Sequence, residues 1–333
     1  MRVMAIGTVM VDILAVELPA IAAPGAVVYA PREVETRIGG HPVDVAIDLV
    51  RLGSDPAEVA VVAALGVGMY GRYVRSVIED YGLTGFLQTV LDTDSGKNLV
   101  LEVVGEDRRF HIDPGANWAL DPLHVAAALD RWKPDVVSIR PGYCGIDLDL
   151  ATALAPVGDA LVLLDVMQPH PSRPSGYLEG ALRRTDVVHC NEIEALVATG
   201  AGSVHDAVSF FFEHGVALVL ITRGGAGATA YTRTHVIDQP GYLVDVVDAT
   251  GCGDAFCAGF VAGLATPAAV RRDAQLDPED VARSLLSAQA VGASAATAVG
   301  CVEGVSASLV DQITAQQGEG LLGATDITYR NEP

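Results

Sequence analysis

Short apolar segments alternate with amphipathic segments along most of the chain. The apolar segments are rich in Val, Leu and Ile and predict buried strands at residues 3–7, 58–64, 135–139, 160–165, 186–189 and 216–222. Between them, apolar positions recur at helical spacing in residues 42–52, 72–81 and 122–132. Apolar strands that alternate with helices are typical of a parallel sheet covered by helices on both faces. The pattern therefore predicts an α/β fold with a doubly wound, mostly parallel sheet.

Two stretches break this rhythm, at residues 13–38 and 86–114. Neither has a clear helical period, and both contain β-rich pieces, at residues 26–34 and 98–104, next to turn signals. We expect them to form a small β-sheet that stands off a core made of residues 1–12, 39–85 and 115–317. Residues 318–333 are polar and contain glycine, and we expect them to form a peripheral tail.

The composition narrows the range of functions. Half of the 333 residues are apolar, which is enough for a large core and argues against disorder. The formal net charge is −21 and only Lys97 and Lys133 are lysines, so we expect neither a nucleic acid nor an anionic membrane surface as a partner. No run of about 18 apolar residues predicts a membrane span. The five cysteines include no CxxC pair, which favours reduced thiols and a cytoplasmic location.

The segment at residues 245–256 carries the most chemical information. An apolar run predicts a strand that ends at Asp248, and Gly251 and Gly253 predict a tight turn after it. Helical spacing begins at Asp254. A helix that starts after a glycine turn presents free backbone N–H groups and the positive end of its dipole, which together bind anions. A carboxylate beside such a site is suited to act as a general base, although Asp is also a common helix N-cap.

Residues 248–256, Asp-Ala-Thr-Gly-Cys-Gly-Asp-Ala-Phe, resemble the signature of the ribokinase-like (phosphofructokinase B-type, PfkB) carbohydrate kinases. Other segments similar to that family recur in the family's order: GGHPVDVA at 39–46, PGAN at 114–117, NEIE at 191–194 and TRGGAG at 222–227. The resemblance covers about residues 3–310. It implies a ribokinase-like three-layer α/β/α core, with the two β-rich stretches forming a lid through which members often dimerise.

The resemblance also implies an ATP-dependent kinase that phosphorylates a hydroxyl of a small carbohydrate-like substrate, such as a sugar, polyol or nucleoside. It assigns the role of base to Asp254 and an anion hole to the backbone of Gly251, Cys252 and Gly253. The substrate-binding residues that it implies are Asp12, Gly39 and Gly40. The implied nucleotide residues are Asn191, Glu194, Thr222, Gly224 and Gly227, with Asn191 and Glu194 acting on Mg²⁺ through water. Asp248 and Thr250 match positions that bind a monovalent cation such as K⁺ in some members.

The substrate end departs from the family pattern. Asp44 stands where many relatives carry Asn, and an ionised Asp accepts hydrogen bonds but does not donate them. His41 lies in the same turn, and Arg140 follows the predicted strand at residues 135–139. We expect these three residues to contact the substrate, and together they suggest a polyol or a nucleoside. A structural role or a loss of specificity stays open as the alternative.

Each motif also fits an ordinary structural role. Residues 191–194 are suited to cap and begin a helix. Residues 222–227 fit a hairpin turn, and residues 39–42 fit a helix entry with proline in the first turn. Asp12 fits a solvated strand end. Together, these ordinary structural roles explain the four motifs poorly, because four independent coincidences in the order of one family are improbable.

Residues 66–71, GVGMYG, support a competing function. A GxGxxG motif between a strand and a helix is typical of NAD-binding proteins, and Asp92 lies where a ribose-binding acid is expected. An NAD-dependent oxidoreductase that uses Gly66, Gly68 and Gly71 is therefore one alternative. A non-catalytic sugar- or nucleotide-sensing protein on the same fold is another. A P-loop kinase is excluded, because the chain contains no GxxxxGK[ST] motif.

Overall fold

The structure, a computed structural model, describes residues 1–106, 108–173 and 176–330. Asp107 of the predicted small sheet and residues 331–333 of the predicted tail lie outside the described residues. The strands within the described ranges are β1 (Val3–Gly7), β2 (Met10–Leu18), β3 (Glu35–Gly39), β4 (Val59–Gly66), β5 (Thr84–Val90), β6 (Gly96–Val103), β7 (Arg109–Asp113), β8 (Val136–Arg140), β9 (Leu161–Asp165), β10 (Val187–Asn191), β11 (Leu218–Thr222), β12 (Ala228–Tyr231), β13 (His235–Gln239) and β14 (Asp326–Tyr329). The α-helices are α1 (His41–Arg51), α2 (Met69–Asp80), α3 (Pro122–Trp132), α4 (Leu150–Ala153), α5 (Glu179–Leu182), α6 (Glu192–Thr199), α7 (Val204–Glu213), α8 (Cys252–Ala262), α9 (Pro278–Ala295) and α10 (Ala307–Gly323).

The main sheet has the strand order β14-β13-β12-β11-β10-β9-β8-β1-β4-β5. Neighbouring strands from β5 to β11 are parallel, whereas β12, β13 and β14 are antiparallel to their neighbours. β1, β4 and β9 are buried along their whole length. Complete burial follows from the helices that cover both faces of a parallel sheet. The predicted α/β fold with a mostly parallel sheet is confirmed.

Successive side chains of β1 point into two separate halves of the core. Ala5 packs in a cluster with residues of α1, α8 and α9, among them Phe260. Ile6 packs on the opposite face with residues of α3 and α7, among them Phe211. This alternation gives the molecule its three layers, because each face of the sheet binds its own set of helices.

The second sheet is small and has the order β3-β2-β6-β7. β2 is antiparallel to β3 and parallel to β6, and β7 completes a hairpin with β6. Leu14, Val16 and Val100 share one face of this small sheet and pack on Val299 of the core. The inner face of the small sheet is therefore in contact with the loop that follows α9.

The boundaries of the small sheet differ from those predicted. β5 pairs in parallel with β4, so residues 86–90 belong to the main sheet. β5 is an edge strand and is only half-buried, so polar and apolar residues are mixed along it. A strand of a small sheet shows the same mixture of residues. At the other stretch, the small sheet begins at Met10 rather than at residue 13.

Two other predicted features differ in the structure. Residues 245–248 do not form a strand, because the N–H groups of Val247 and Asp248 both donate to the single carbonyl of Ala296. Residues 318–330 are not a peripheral tail, since they complete α10 and then add β14 to the edge of the main sheet. Leu322 and Ile327 pack against the core, and this burial outweighs the polar composition of the segment.

Among the described helices, no single one has the length and apolar composition of a membrane span. α6 and α7 reach these criteria only as a pair, and they are bent by 58° at the break between them.

The two-sided core leads to a stability prediction. Phe211 is fully buried, whereas Phe110 on β7 is 52% exposed. We expect Phe211→Ala to lower the free energy of unfolding by about 3–5 kcal/mol, because it leaves a cavity among packed side chains. The matched change Phe110→Ala should cost no more than about 0.5 kcal/mol. Denaturant unfolding followed by circular dichroism measures both, and equal midpoints for the two variants would contradict this packing.

Candidate active site

Polar side chains gather at the carboxyl ends of the parallel strands, where ligands bind in open α/β sheets. Arg140 ends β8, and Asp165 ends the neighbouring strand β9. Asn191 ends β10 and Thr222 ends β11. The N-terminus of α8 lies at the same edge, since Gly253 of its first turn is near the Arg140 guanidinium.

The turn before α8 depends on close backbone contact. Gly251 is the N-cap of α8 with a φ of 79°, and a Cβ at this position would lie 2.3 Å from the carbonyl oxygen of Cys301. Only glycine accepts both this conformation and this approach. Within the described ranges no side chain caps α8, so the N–H groups of its first turn are available to an anion. Residues 251–254 thus have the arrangement of an anion site.

Asp254 lies in the first turn of α8, and its side chain is 7% exposed. It is not the N-cap, because Gly251 holds that position. Its Oδ1 lies 2.6 Å from His41 Nδ1 and 3.1 Å from Arg140 Nη1. A buried carboxylate needs such positive neighbours, since an unpaired charge is costly to bury.

A second buried carboxylate, Asp165, connects these basic groups. Its Oδ2 accepts from Arg140 Nε at 2.5 Å and lies 3.3 Å from His41 Nδ1. Burial opposes ionisation of Asp165, but Arg140 and His189 hold its pKa well below the ordinary value. Burial also disfavours a charged imidazole, but the hydrogen bonds to Asp165 and Asp254 raise the pKa of His41. We call Asp254, His41, Arg140 and Asp165 the buried charge network.

Two further side chains fix the orientation of this network. His41 Nε2 lies 2.9 Å from Ser138 Oγ, so both ring nitrogens of His41 have partners. His189 Nδ1 lies 2.6 Å from Asp165 Oδ1, and the His189 ring stacks on Phe256 of α8. The imidazoles of His41 and His189 therefore bind Asp165 from two sides.

The sequence-based prediction missed Ser138, Asp165 and His189. A signal was present only for Asp165, which ends β9, because Ser138 and His189 are the central residues of β8 and β10. The prediction also assigned His41 and Arg140 to the substrate, whereas the structure places both against Asp254.

Asp12 lies on the inner face of the small sheet and is 5% exposed. Its Oδ1 accepts from Asn98 Nδ2 at 3.1 Å, and its Oδ2 accepts from Cys301 Sγ at 3.5 Å. Burial raises the pKa of Asp12, although the Asn98 bond opposes this rise. Gly39 lies alongside, where a Cβ would be 2.6 Å from Asp12 Oδ2. Asn98, on β6, was not identified from the sequence.

Asp44 is buried one turn into α1. Its Oδ2 accepts from the N–H of Gly40 at 2.9 Å, and its Oδ1 has no hydrogen-bond partner within the described residues. Gly40 has a φ of 102°, and a Cβ there would lie 2.3 Å from the carbonyl oxygen of Thr8. Burial and the nearby charges of Asp254 and Asp48 raise the pKa of Asp44 well above its ordinary value. Asp44 therefore retains its proton more readily than an exposed Asp.

A cavity of about 350 Å³ adjoins the glycine turn. Its wall contains the predicted nucleotide residues Thr222, Gly224 and Gly227 together with Cys252 and Gly253 of α8. Residues 222–227 also form the connection between β11 and β12, so the hairpin interpretation holds as well. A long ligand in this cavity would have one end at the N-terminus of α8.

Asn191 and Glu194 cap α6 reciprocally. Asn191 Oδ1 accepts from the N–H of Glu194 at 2.9 Å, and Glu194 Oε2 accepts from the N–H of Asn191 at 2.8 Å. Burial and the charge of Asp165 raise the pKa of Glu194. The structural role is therefore present, and the predicted action of this pair on Mg²⁺ stays a prediction.

The predicted monovalent-cation residues contact an arginine. Arg108, the residue before β7, donates to the carboxylate of Asp248 and, at 2.5 Å, to Thr250 Oγ1. The N–H groups of Thr250 and Gly300 donate to the same carboxylate at 2.7 and 2.9 Å. Both oxygens of Asp248 therefore have partners supplied by the protein.

The GxGxxG motif is not suited to a dinucleotide. Asp94 accepts from the N–H groups of Tyr70 and Gly71 at 3.3 and 3.1 Å, at the start of α2. A Cβ on Gly68 would lie 2.1 Å from Asp94 Oδ2, so the glycines accommodate this side chain. A carboxylate already occupies the helix N-terminus that a pyrophosphate would need. The NAD-dependent alternative is therefore not favoured.

A family model described as pfkB family carbohydrate kinase matches residues 1–307. The match extends over most of the 333 residues, so the chain belongs to the pfkB family of carbohydrate kinases. The predicted family is confirmed, and with it a phosphotransferase that acts on an alcohol group of a carbohydrate.

Individual relatives agree with this assignment. The chain is 26% identical to a fructokinase of Klebsiella pneumoniae over 288 residues, which cover 79% of this chain and 87% of the relative. It is also 26% identical to a ribokinase of Bacillus subtilis over 238 residues, 69% of this chain and 75% of the relative. Among solved structures, the fold is similar to a ribokinase of Thermotoga maritima, with a TM-score of 0.76 and 21% identity over 94% of this chain and 99% of the other. It is similar to an Escherichia coli protein named as a ribokinase II, in complex with ATP and Mg²⁺, with a TM-score of 0.73 and 22% identity over 95% and 99%.

The buried charge network leads to a pH prediction. His41→Asn keeps a hydrogen-bond donor near Asp254 but removes a positive charge. We expect the kcat/KM of the wild type to fall as the pH rises through the raised pKa of His41, because the imidazole then loses the positive charge that pairs with Asp254, and we expect this basic limb to be absent from His41→Asn. His214→Asn is the matched control, since His214 contacts only the Phe210 carbonyl and ring of α7 in the described contacts. A basic limb that persists in His41→Asn would show that His41 carries no charge beside Asp254.

Proposed function

We propose that this chain is an ATP-dependent kinase that transfers the γ-phosphoryl group of ATP to a hydroxyl of a small carbohydrate-like substrate. One observation carries the proposal: the buried Asp254 carboxylate lies in the first turn of α8, at a helix N-terminus that no described side chain caps. A base and an anion site thus adjoin each other. Phosphoryl transfer needs these two elements together.

In the proposed reaction, the acceptor hydroxyl gives its proton to Asp254. The hydroxyl oxygen forms a bond to the γ-phosphorus while the bond from that phosphorus to the bridging oxygen breaks, and ADP leaves. The backbone of residues 251–253 stabilises the charge that develops on the phosphoryl oxygens. Arg140 and His41 hold the carboxylate of Asp254 in the position where it accepts the proton of the acceptor hydroxyl.

The cavity at residues 222–227 suits the nucleoside part of ATP. Its glycines and apolar side chains would surround a flat base, and Cys252 and Gly253 continue the wall to the anion site. Asn191, at the end of β10, and Glu194, in the first turn of α6, offer oxygen atoms, which Mg²⁺ prefers. When bound, Mg²⁺ would neutralise phosphate charge during transfer.

The acceptor would lie between the small sheet and α1. Asp12 and Asn98 offer carboxylate and amide groups from the small sheet, and Asp44 offers a carboxyl from α1. Hydroxyl groups of a sugar both donate and accept, so a mixture of donors and acceptors suits them. A protonated Asp44 would supply one donor and thereby replace the Asn of many relatives. Fructokinases and ribokinases among the relatives make hexoses and pentoses the first acceptors to test.

Dimerisation through the small sheet is part of the proposal. Ile13, Leu99 and Leu101 alternate with the inward-facing residues of β2 and β6 and lie on its outer face. Leu99 is 40% exposed, so an apolar patch faces away from the core. Light scattering on the purified protein measures the oligomeric state.

We place the enzyme in the cytoplasm, because all five cysteines are free thiols.

The decisive variant is Asp254→Asn. Removing the base should lower kcat by about 10²–10⁴-fold, whereas ATP affinity should change little because the backbone anion site is intact. A coupled assay of ADP release with a panel of sugars, polyols and nucleosides measures turnover, and calorimetry measures ATP binding.

The matched control for that experiment is Asp245→Asn. Asp245 is an exposed carboxylate of the same segment and should be replaceable without loss of turnover. Near-wild-type turnover of Asp254→Asn would overturn the mechanism. Sugar binding without turnover in the wild type would favour the sensing alternative.

A second prediction concerns the pH dependence of substrate binding. Burial and the charges of Asp254 and Asp48 raise the pKa of Asp44 well above its ordinary value, so its carboxyl keeps a proton to higher pH than an exposed Asp and loses it as the pH rises through that pKa. The KM for the acceptor should therefore increase over the pH range in which this proton is lost. Asp44→Asn should make the KM nearly independent of pH, because the amide donor does not titrate. A wild-type KM that is constant over this range would show that Asp44 does not donate to the substrate.

A further inference from the structure

Asp248 connects three parts of the molecule. Its side chain is completely buried, immediately before the glycine turn. Its Oδ2 accepts from the N–H of Gly300 in the loop after α9, and its Oδ1 accepts from the N–H of Thr250 at the start of the turn. The third partner, Arg108, comes from the small sheet.

Arg108 is held in this position by side chains of the small sheet and of the segment before α8. Its Nε donates to Glu102 of β6 at 3.1 Å, and its Nη1 donates to Asp248 and Thr250. The arginine side chain is only 13% exposed, so water screens these contacts little. A buried carboxylate such as Asp248 needs a counter-charge, and the guanidinium supplies it.

Asp248 and Thr250 are also the residues that the family resemblance assigns to a monovalent cation. A metal ion that bound Asp248 Oδ1 and Thr250 Oγ1 would have to displace Nη1 of Arg108 or lie against its positive charge. Like charges at such short distance repel strongly in a buried site. The residues present therefore do not fit a monovalent ion while Arg108 is in place.

We propose that Arg108 takes the place of the monovalent cation, so that the enzyme works without K⁺ and its glycine turn is ordered by the small sheet. This inference rests on the proposed kinase function. Arg108 contacts Thr250, the residue before Gly251, so its charge is fixed next to the anion site. Leu14, Val16 and Val100 of the same sheet pack on Val299, the residue before Gly300, so the small sheet also contacts the loop whose Gly300 N–H donates to Asp248. Arg108 acts as a positioning residue for residues 251–254.

The proposal is tested by measuring turnover of the purified enzyme in K⁺, Na⁺ and N-methylglucamine salts at equal ionic strength. The wild type should show the same kcat in all three. Arg108→Ala leaves the buried Asp248 carboxylate without its partner and opens the site to a metal ion. We expect its kcat without K⁺ to fall by about tenfold or more, and K⁺ or guanidinium ion to restore part of the loss. A purely structural role would not produce such rescue.

Arg109→Ala is the matched control. Arg109 is the next residue, pairs with Glu106 at the surface and is 41% exposed. This variant should have wild-type turnover and no response to K⁺. Arg108→Lys keeps a positive charge, and its turnover should remain independent of K⁺. This variant still tests the proposal if Arg108→Ala does not fold.

A second readout does not depend on turnover. K⁺ should raise the Tm of Arg108→Ala but not that of the wild type, because an ion that binds only the folded state stabilises it. Stimulation of the wild type by K⁺, or full activity of Arg108→Ala without K⁺, would overturn the proposal. A slow Arg108→Ala that neither K⁺ nor guanidinium restores would also contradict it. A wild type without turnover on the whole substrate panel would contradict the kinase function, whereas the Tm comparison would still decide the role of Arg108.

Discussion

The pairing of buried charges is the constraint on which the active site depends. Asp254 and Asp165 are both buried, and each would be costly without positive partners. Arg140 and His41 lie between them and contact both. This network joins β8, β9, α1 and α8, so the Asp254 carboxylate is held by four elements that are distant in the sequence. The proposed base is thereby part of the packing of the core rather than a side chain on a loop.

Close backbone contacts assemble the rest of the site. Gly251 approaches Cys301, and Gly40 approaches Thr8, at distances that exclude any side chain. Each glycine belongs to a motif that was visible in the sequence, whereas the residue that it approaches belongs to no such motif. Cys301 shows the consequence, because its carbonyl faces the turn while its thiol donates to Asp12 of the small sheet. One loop residue thus links the glycine turn before α8 to the small sheet.

The fold was predictable where local patterns decide the structure. The apolar runs of β1, β9 and β11 and the helical period of α3 are local, and the structure has them close to the predicted residues. The edge strand β5 was misassigned, because its half-buried residues do not distinguish one sheet from another. The chemical motif at residues 248–254 was also local. Asp165, His189 and Arg108 were missed, since their roles come from contacts across at least 24 residues of sequence.

The strongly acidic composition takes a different meaning once these contacts are known. Asp44 is buried where the charges of Asp12 and Asp254 act on it, and Asp248 is buried immediately before the glycine turn. A chain with few basic residues therefore uses Arg140 and Arg108 as internal counter-charges. Because both guanidiniums are committed to carboxylates, neither is free to bind phosphate strongly. In the proposed reaction the phosphates of ATP would then depend on the backbone N–H groups of α8 and on Mg²⁺, and recognition of the nucleotide would rest on main-chain geometry rather than on basic side chains.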